Sequence, residues 1–507
     1  MLISSERPAP SLSTAIRLSK SKFLSGLQCH KRLYLEIHEP TLATQPDGVT
    51  QAILDMGTEV GELARQRMPG GILVDVNHRH AAEALRRTQE LVNDPTVPAI
   101  FEAAFVHEQV FIRVDVLERI CSAVDGSVSW RLIEVKSSTR VKEVHIDDLA
   151  VQAYVLAGAG ITLVGTCLMH INTQYVYDGK RLDLDQLFAI HDLSGHVAAR
   201  RAKVITRLAE MKAMLALPVP PVVEPSGHCQ TPYECPFWDV CTKEKPSRWI
   251  FHLPGGVQTF QSLAKLGVTT IDDIPAGFHL SINQRRMRDN VEWVSSRLQA
   301  TLETVHYPVH HLDFETFMPA IPKFPQTRPY QTIPTQWSNH VEFDNGDITH
   351  AEYLCLDPKD PREELVVELL ESLGQEGSIC VYSGYERAIL ERLADLLPTL
   401  RSDLQRVMAR LWDLFPVIRD HYYHPAFEGS YSIKAVLPAV VPSLGYGDLD
   451  IQEGGLAAQV YYQMVFDETD LMEKARLKEA LLHYCERDTL AMLELRRALY
   501  RKVVGGC

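Results

Sequence analysis

Three cysteines, Cys229, Cys235 and Cys241, recur with five residues between neighbours, and Tyr233, Pro236, Phe237 and Trp238 are threaded among them. A lone Cys29 lies 200 positions before the first of them. No other feature constrains the chain as much, because a shared centre would fix where each of these segments must run. Three thiols need a fourth donor to complete a tetrahedral or cubane site. Zinc sites usually use paired Cys-x2–4-Cys knuckles, and the sequence has none. Three unrelated buried cysteines are the alternative. Ten cysteines in 507 residues are too sparse for a disulfide scaffold. The other six (Cys121, Cys167, Cys355, Cys380, Cys485 and Cys507) show no partner pattern.

A length of 507 residues implies two to four domains. Apolar residues make up 46% and charged residues 23%, which excludes global disorder and collagen. No apolar run reaches the ~18 residues of a membrane helix. Residues 1–22 lack an apolar signal core. A soluble, cytoplasmic protein without a membrane partner is therefore expected. The net charge of −14 argues against simple coating of nucleic acid.

Periodicity divides the chain into two strand-rich halves. Residues 1–18 read as a flexible lead-in, and a basic stretch surrounds Cys29. Helical spacing follows over 51–68 and 81–92. Strands are predicted over 100–105, 110–117 and 130–135, with Asp125-Gly126 turning the last pair. A helix over 147–159, a strand over 162–171 and a long helix over 196–215 complete this half. Residues 248–299 read as a helical connector, and 263–274 vaguely suggest a helical hairpin. Strands are then predicted over 309–314, 336–343, 352–356 and 378–382. Helices are predicted over 363–373, 385–396, 404–407 and 477–499.

Two sets of acids stand out. Asp115 sits in Val114-Asp115-Val116-Leu117, and Glu134 and Lys136 in Ile133-Glu134-Val135-Lys136. Glu134 and Lys136 are two apart and share a strand face. Two carboxylates can hold a hard divalent cation, and a neighbouring ammonium can orient water or offset developing charge. An exposed hairpin of alternating charges is the plain alternative, but these charges interrupt apolar strands. The second set begins with His310-His311-Leu312-Asp313-Phe314-Glu315-Thr316, a strand presenting Asp-x-Glu on one face. Tyr484 and Asp488, four apart, stack on a late helix. Glu386 opens a helix directly after a strand.

The first set resembles the RecB-like branch of the PD-(D/E)XK nucleases. That resemblance implies Asp115 and Glu134 as Mg²⁺ or Mn²⁺ ligands and Lys136 as the catalytic lysine. Met56-Gly57-Thr58-Glu59-Val60-Gly61-Glu62 is similar to the family's early helical motif, with Gly61 where many members have histidine. Glu59, Glu62 or Glu102 would then be accessory acids. Gln152 and Tyr154 resemble the family's Gln/Tyr motif, which implies DNA contact near the site. One cysteine before this core and three after it resemble the 4Fe–4S clasp of RecB-like nucleases, with zinc as the alternative. Such a clasp of Cys29, Cys229, Cys235 and Cys241 would close a loop of about 200 residues.

The second set resembles the tyrosine subtype of DEDD exonucleases on the RNase H-like fold. The resemblance implies Asp313, Glu315, Glu386 and Asp488 as ligands of two Mg²⁺ or Mn²⁺ ions, with Tyr484 positioning or deprotonating water. Asp413 is the alternative fourth acid, and Lys434 a substrate-facing lysine. Over roughly residues 20–500 the chain resembles a bacterial two-nuclease family. The expected architecture is α/β: a restriction-endonuclease-like mixed-sheet core with its clasp over 19–245, a connector over 246–305, and an RNase H-like exonuclease domain over 306–507. The expected activity is metal-dependent DNA cleavage in repair, recombination or defence against foreign DNA. The alternatives are a nucleic-acid-binding or assembly protein with one decayed core, and an RNA-directed exonuclease. About six acids belong to the two metal sets, so phosphate contact would fall to basic patches at 20–32 and 284–288.

Overall fold

Two mixed sheets, each flanked by helices, make the chain α/β throughout. The computed structural model describes residues 18–505 except 78 and 468. All but the last residue of the expected lead-in, and Cys507, lie outside the described residues. One compact unit comprises Met1–Gln45 and Ile53–Lys243; the other comprises Pro46–Ala52 and Glu244–Cys507.

The first unit opens with β1 (Leu18–Ser19), α1 (Lys20–Gln28) and α2 (His30–His38). The sequence reading saw only a basic stretch here. Ser19 caps α1 by accepting from the Lys22 amide, and the extended backbone of Cys29 breaks α1 from α2. There follow β2 (Ile72–Leu73), β3 (Ala99–His107), β4 (Val110–Cys121), β5 (Val128–Lys136), α3 (Glu143–Gly158), β6 (Leu163–Ile171), β7 (Phe188–Asp192) and α4 (Ser194–Leu215). The sheet order is β2-β3-β4-β5-β6-β7. Helix α3 is apolar nearly all round and is buried against the sheet, α1 and α4.

A fork in this sheet positions the first acidic set. β4 and β5 pair antiparallel from Cys121↔Val128 as far as Val116↔Ile133. Beyond Ile133, β5 continues beside β6 alone. The vacated length of β4 is taken up further along by β1, which pairs at Leu18↔Val110 and Ser19↔Phe111. Val135 thus has no strand partner on the β4 side. Its N–H donates instead to Asp115 Oδ2 at 2.8 Å.

The second unit has a five-stranded sheet of β8 (Val309–Phe317), β9 (Ile333–Glu342), β10 (Ile348–Leu354), β11 (Ser378–Val381) and β12 (Leu411–Asp413). Its order is β10-β9-β8-β11-β12. The β8–β9–β10 meander is antiparallel, and β11 and β12 add in parallel. Flanking helices include α5 (Arg362–Leu373), α6 (Tyr385–Leu396) and α7 (Leu471–Val504). Asp470 caps α7, which outruns its predicted length at both ends. Every residue of β9 is buried. One face sends Gln336, Ser338, His340 and Glu342 to α7, and the other sends Trp337 and Asn339 to α5.

The expected connector is part of this second unit rather than a spacer. Trp293–Val294 pairs with Tyr422–Tyr423, and Arg286 donates to the Arg419 carbonyl at 2.8 Å. Arg286 also stacks on Trp293, and Arg288 pairs with Asp289, so the basic patch at 284–288 is largely spent on internal contacts. The suggested hairpin at 263–274 is the end of a helix, Gly256–Lys265, followed by a 3-10 turn at Ile271–Asp273.

Glu342 is the deepest ion pair in the unit. It is shared by Arg496, also buried, and by Arg497 at 2.7 Å. Replacing Glu342 with alanine strands the Arg496 guanidinium in the interior. The expected loss is about 3–5 kcal/mol of unfolding free energy in urea titrations. A loss under 1 kcal/mol would show that the guanidinium finds water instead.

Candidate functional site

At the fork, the structure brings Asp115, Glu134 and Lys136 together with three residues from elsewhere. Lys136 Nζ lies 2.6 Å from Glu134 Oε1 and 2.9 Å from Asp148 Oδ2. Gln152 donates its amide to Glu134 Oε2 at 2.6 Å and to Asp148 Oδ1 at 2.9 Å. Lys20, the first residue of α1, reaches 3.1 Å from both Glu134 oxygens and 3.5 Å from Asp115. Glu134 is only 1% exposed. Burial raises its pKa, but Lys136 and Lys20 outweigh that and hold it well below the usual carboxylate range. Burial, then Glu134, push Asp115 up to about 7. Both ammoniums are held charged by these acids against the cost of burial.

The charge balance is three carboxylates to two ammoniums. The Lys20 ammonium lies between Asp115 and Glu134, where a cation bridging the two acids would lie. The site therefore accepts a positive charge at that point, and a divalent ion held there by Asp115 and Glu134 would displace Lys20.

The accessory candidates divide. Gln152 is fully buried on the acids. Tyr154 donates to Glu108 at 2.7 Å, in the β3–β4 turn, and is not brought to the trio. Glu102 pairs with Arg113 at 3.2 Å and Arg65 at 3.7 Å. Glu59 and Glu62 lie on the helix Gly48–Arg65, whose Gly57 passes Ser137, the residue after Lys136. Sequence reasoning missed Lys20 and Asp148 as members of the site. Asp148 was within reach, since it lies four residues before Gln152 on one helix. Lys20 carried no local signal.

Cys29, Cys229, Cys235 and Cys241 line one cavity, with Lys31, Arg32 and His228 at its wall. All four are free thiols. Gln28 ties the segments together by donating to the carbonyls of His228, at 2.8 Å, and Tyr233, at 2.6 Å. Burial pushes the Cys229 and Cys235 thiols up. Bound as thiolates they would be answered by the Lys31 and Arg32 charges, so the donor set suits a four-thiolate centre.

In the second unit, Asp313 and Glu315 on β8, both half-buried, join Glu386 at the start of α6 and Asp488 on α7, both buried, in one acidic cluster. Burial, then Asp488, Glu315 and Glu386, raise Asp313 well above its ordinary value. Burial, then Asp488, do the same to Glu315. Burial carries Glu386 up to about 8 and Asp488 to about 6. Glu386 Oε2 is buried with no hydrogen-bond partner. The cation acting on Glu315 and Asp488 from across the cluster is Lys434, which donates to the Tyr484 hydroxyl at 3.0 Å. Four carboxylates around one ammonium, with an orphaned carboxylate oxygen, fit divalent cations.

Tyr484 accepts from Lys434 and hydrogen-bonds Asp488. Burial, then Asp488, raise its pKa, which favours the protonated phenol. Asp413 accepts from the amides of Ser383 and Phe415, both at 2.9 Å. It thereby pins Ser383, at a φ of 103°, in the turn ahead of Glu386. Its role is to hold that turn. Tyr446, absent from the sequence reading, donates to Asp488 Oδ1 at 2.5 Å. It comes from a loop with no motif to mark it.

The family model described as "Domain of unknown function (DUF2779)" matches residues 310–432. That stretch holds Asp313, Glu315, Glu386 and Asp413 but stops short of Tyr484 and Asp488. The chain is also similar to "Uncharacterized protein MG366 homolog" of Mycoplasma pneumoniae (strain ATCC 29342 / M129 / Subtype 1), at 25% identity over 206 residues. The match covers 36% of this chain and 31% of that protein, so it spans about a third of the relative's length. Among the described residues, no helix is long and apolar enough to cross a membrane.

If Lys20 occupies a cation position, removing its charge should strengthen metal binding there. The Lys20→Met variant, in an Asp313→Asn background that weakens the second cluster, is expected to bind Mn²⁺ tenfold or more tightly. One competing charge at this range is worth upwards of about 1.4 kcal/mol. Mn²⁺ titration followed by electron paramagnetic resonance reads the affinity. An unchanged or weaker affinity would show that Lys20 supports the site rather than competing in it.

Proposed function

We propose that this chain is a metal-dependent DNA nuclease with two active sites. The observation that carries the reading is the second unit's cluster: four carboxylates, two buried and two half-buried, met chiefly by one lysine, with Arg487 acting more weakly on Asp488. Such a set is costly to bury unless cations complete it. Bound divalent ions would polarise a phosphoryl oxygen and lower the pKa of water. The chain's own residues would do the rest. Asp313, Glu315, Glu386 and Asp488 hold the ions, Tyr484 donates a hydrogen bond to Asp488, and Lys434 holds Tyr484. The sheet order and the strand-then-Glu386 arrangement support a likeness to DEDD exonucleases of the RNase H-like fold.

The first unit's forked sheet, with Asp115, Glu134 and Lys136 at the fork, supports the likeness to RecB-like PD-(D/E)XK nucleases. There Asp115 and Glu134 would hold Mg²⁺ or Mn²⁺, and Lys136 would orient water or offset charge on the scissile phosphate. Four cysteines on one cavity support a 4Fe–4S cluster, with zinc as the alternative occupant. DNA ends or single strands are the proposed substrate, in repair, recombination or defence.

A second reading is favoured by one observation. Lys20 fills the cation position at the fork, which suits a first unit that binds nucleic acid while only the second cuts it. End-labelled single- and double-stranded DNA, and RNA, incubated with Mg²⁺ or Mn²⁺ separate these readings. On the two-site reading, Asp313→Ala abolishes stepwise 3′ trimming. Lys136→Ala lowers a separate cleavage by on the order of 100-fold or more. Normal cleavage by Lys136→Ala selects the binding reading, and RNA as the better substrate selects the RNA exonuclease. A wild-type protein inert on every substrate sinks all of them.

The clasp is tested apart from activity. Protein purified without oxygen is expected to be brown, with about four iron and four sulfide per chain. Cys235→Ser should lose both. Colourless protein with one tightly held zinc would assign the site to zinc instead.

A further inference from the structure

Outside both acidic sets, three potential metal ligands meet on the second unit's outer sheet. His340 on β9 and His350 on β10 are direct cross-strand partners, and Glu486 lies on α7. One donor atom from each lies within 4.8 Å of the other two. His340 is buried, His350 exposed and Glu486 half-buried. The two rings stack at 4.4 Å between centroids.

A chain of hydroxyls fixes which ring nitrogens carry protons. Thr489 Oγ1 donates its single hydrogen to the Glu486 carbonyl at 3.0 Å. It can therefore only accept its two other bonds, from His340 Nδ1 at 2.8 Å and from Ser338 Oγ at 2.8 Å. Ser338, having donated, must accept from His350 Nε2 at 2.9 Å. Both imidazoles are thus N–H donors on the hydroxyl side. When neutral, each presents a bare lone pair on its other nitrogen, Nε2 of His340 and Nδ1 of His350. Burial favours the neutral form of His340. Metal-bound histidines are oriented in this way, with the distal N–H held by a hydrogen-bond acceptor that sets the tautomer.

We propose that His340 Nε2, His350 Nδ1 and the Glu486 carboxylate form a site for a transition-metal ion, with zinc the best match. Two imidazoles and a carboxylate are the donor set of open-coordinated zinc, at ~2.0–2.2 Å per bond. Tetrahedral donors at that range lie ~3.4 Å apart, so the side chains draw together to close on the ion. His350 and Glu486, being the less buried, can make that movement. Glu352, two residues along β10 from His350, interacts with both His350 and Glu486 and adds negative charge beside the site. The bound ion ties the β9–β10 hairpin to α7, the helix that presents Tyr484 and Asp488.

The test uses full-length protein and zinc or cobalt alone. Cys235→Ser, Asp313→Asn and Glu134→Gln combined disable the competing sites, and the triple variant is expected to retain one equivalent of zinc. Adding His350→Ala or Glu486→Gln should remove that equivalent. Thr489→Val should weaken it by about 10–100-fold. Bound Co²⁺ should show visible d–d bands without thiolate charge transfer, and zinc should raise the melting temperature only where His350 is present. His350 is exposed, so its alanine variant should melt with the metal-free wild type; if it does not, Glu486→Gln decides. Zinc stoichiometry unchanged by both substitutions, or wholly lost with Cys235→Ser, would overturn the site.

Discussion

A carboxylate taken out of water must be answered by positive charge, by hydrogen bonds or by protonation, and this constraint organises the molecule. Three answers are visible. Glu342 is met in the interior by Arg496 and Arg497. Asp115, Glu134 and Asp148 are met by Lys20 and Lys136. Asp313, Glu315, Glu386 and Asp488 have Lys434, with Arg487 acting more weakly on Asp488, and burial raises their pKa values. The first is a structural cluster of one carboxylate and two guanidiniums. The second is nearly neutral, and the third is strongly short of positive charge. The three clusters therefore differ in what they can take up, although each is made of the same few residue types.

The two units also differ in how their acids are placed. In the first, strand divergence does it. Val135 loses its partner at the fork, Asp115 caps the freed N–H, and the next strand residues carry Glu134 and Lys136 past the branch point. In the second, helices bring acids to a sheet that stays paired. Asp488 rides on α7, and Glu386 is delivered by the Asp413-pinned turn. The β9 face toward α7 is a polar ladder, so that helix is keyed by hydrogen bonds as well as apolar contact.

Much of this was legible in the sequence, for a physical reason. A charge inside an apolar strand is expensive, so Asp115, Glu134 and Asp313 announce themselves without any knowledge of the fold. The even cysteine spacing worked in the same way, and the four thiols do share a cavity. What could not be read were groups supplied from afar by ordinary-looking segments. Lys20 looked like one member of a basic patch, yet its charge is turned inward. Tyr446 and the hydroxyl chain of Ser338 and Thr489 leave no periodic trace. Tyr154 failed for the opposite reason: its motif was recognisable, but helix geometry carries it to Glu108 instead. The −14 net charge hides the same division, since many basic residues at 20–32 and 284–288 are engaged internally.

Helix α1 has one further consequence. It begins at Lys20, whose ammonium lies between Asp115 and Glu134, and it ends against Cys29, a wall of the thiol cavity. Nine helical residues make a rod of about 13 Å. A rod that short does not bend, so its two tips cannot be displaced separately. Whatever draws Cys29 toward its three partners also shifts the backbone from which Lys20 reaches the fork. The cysteines and the acids of this unit are, mechanically, opposite ends of one lever.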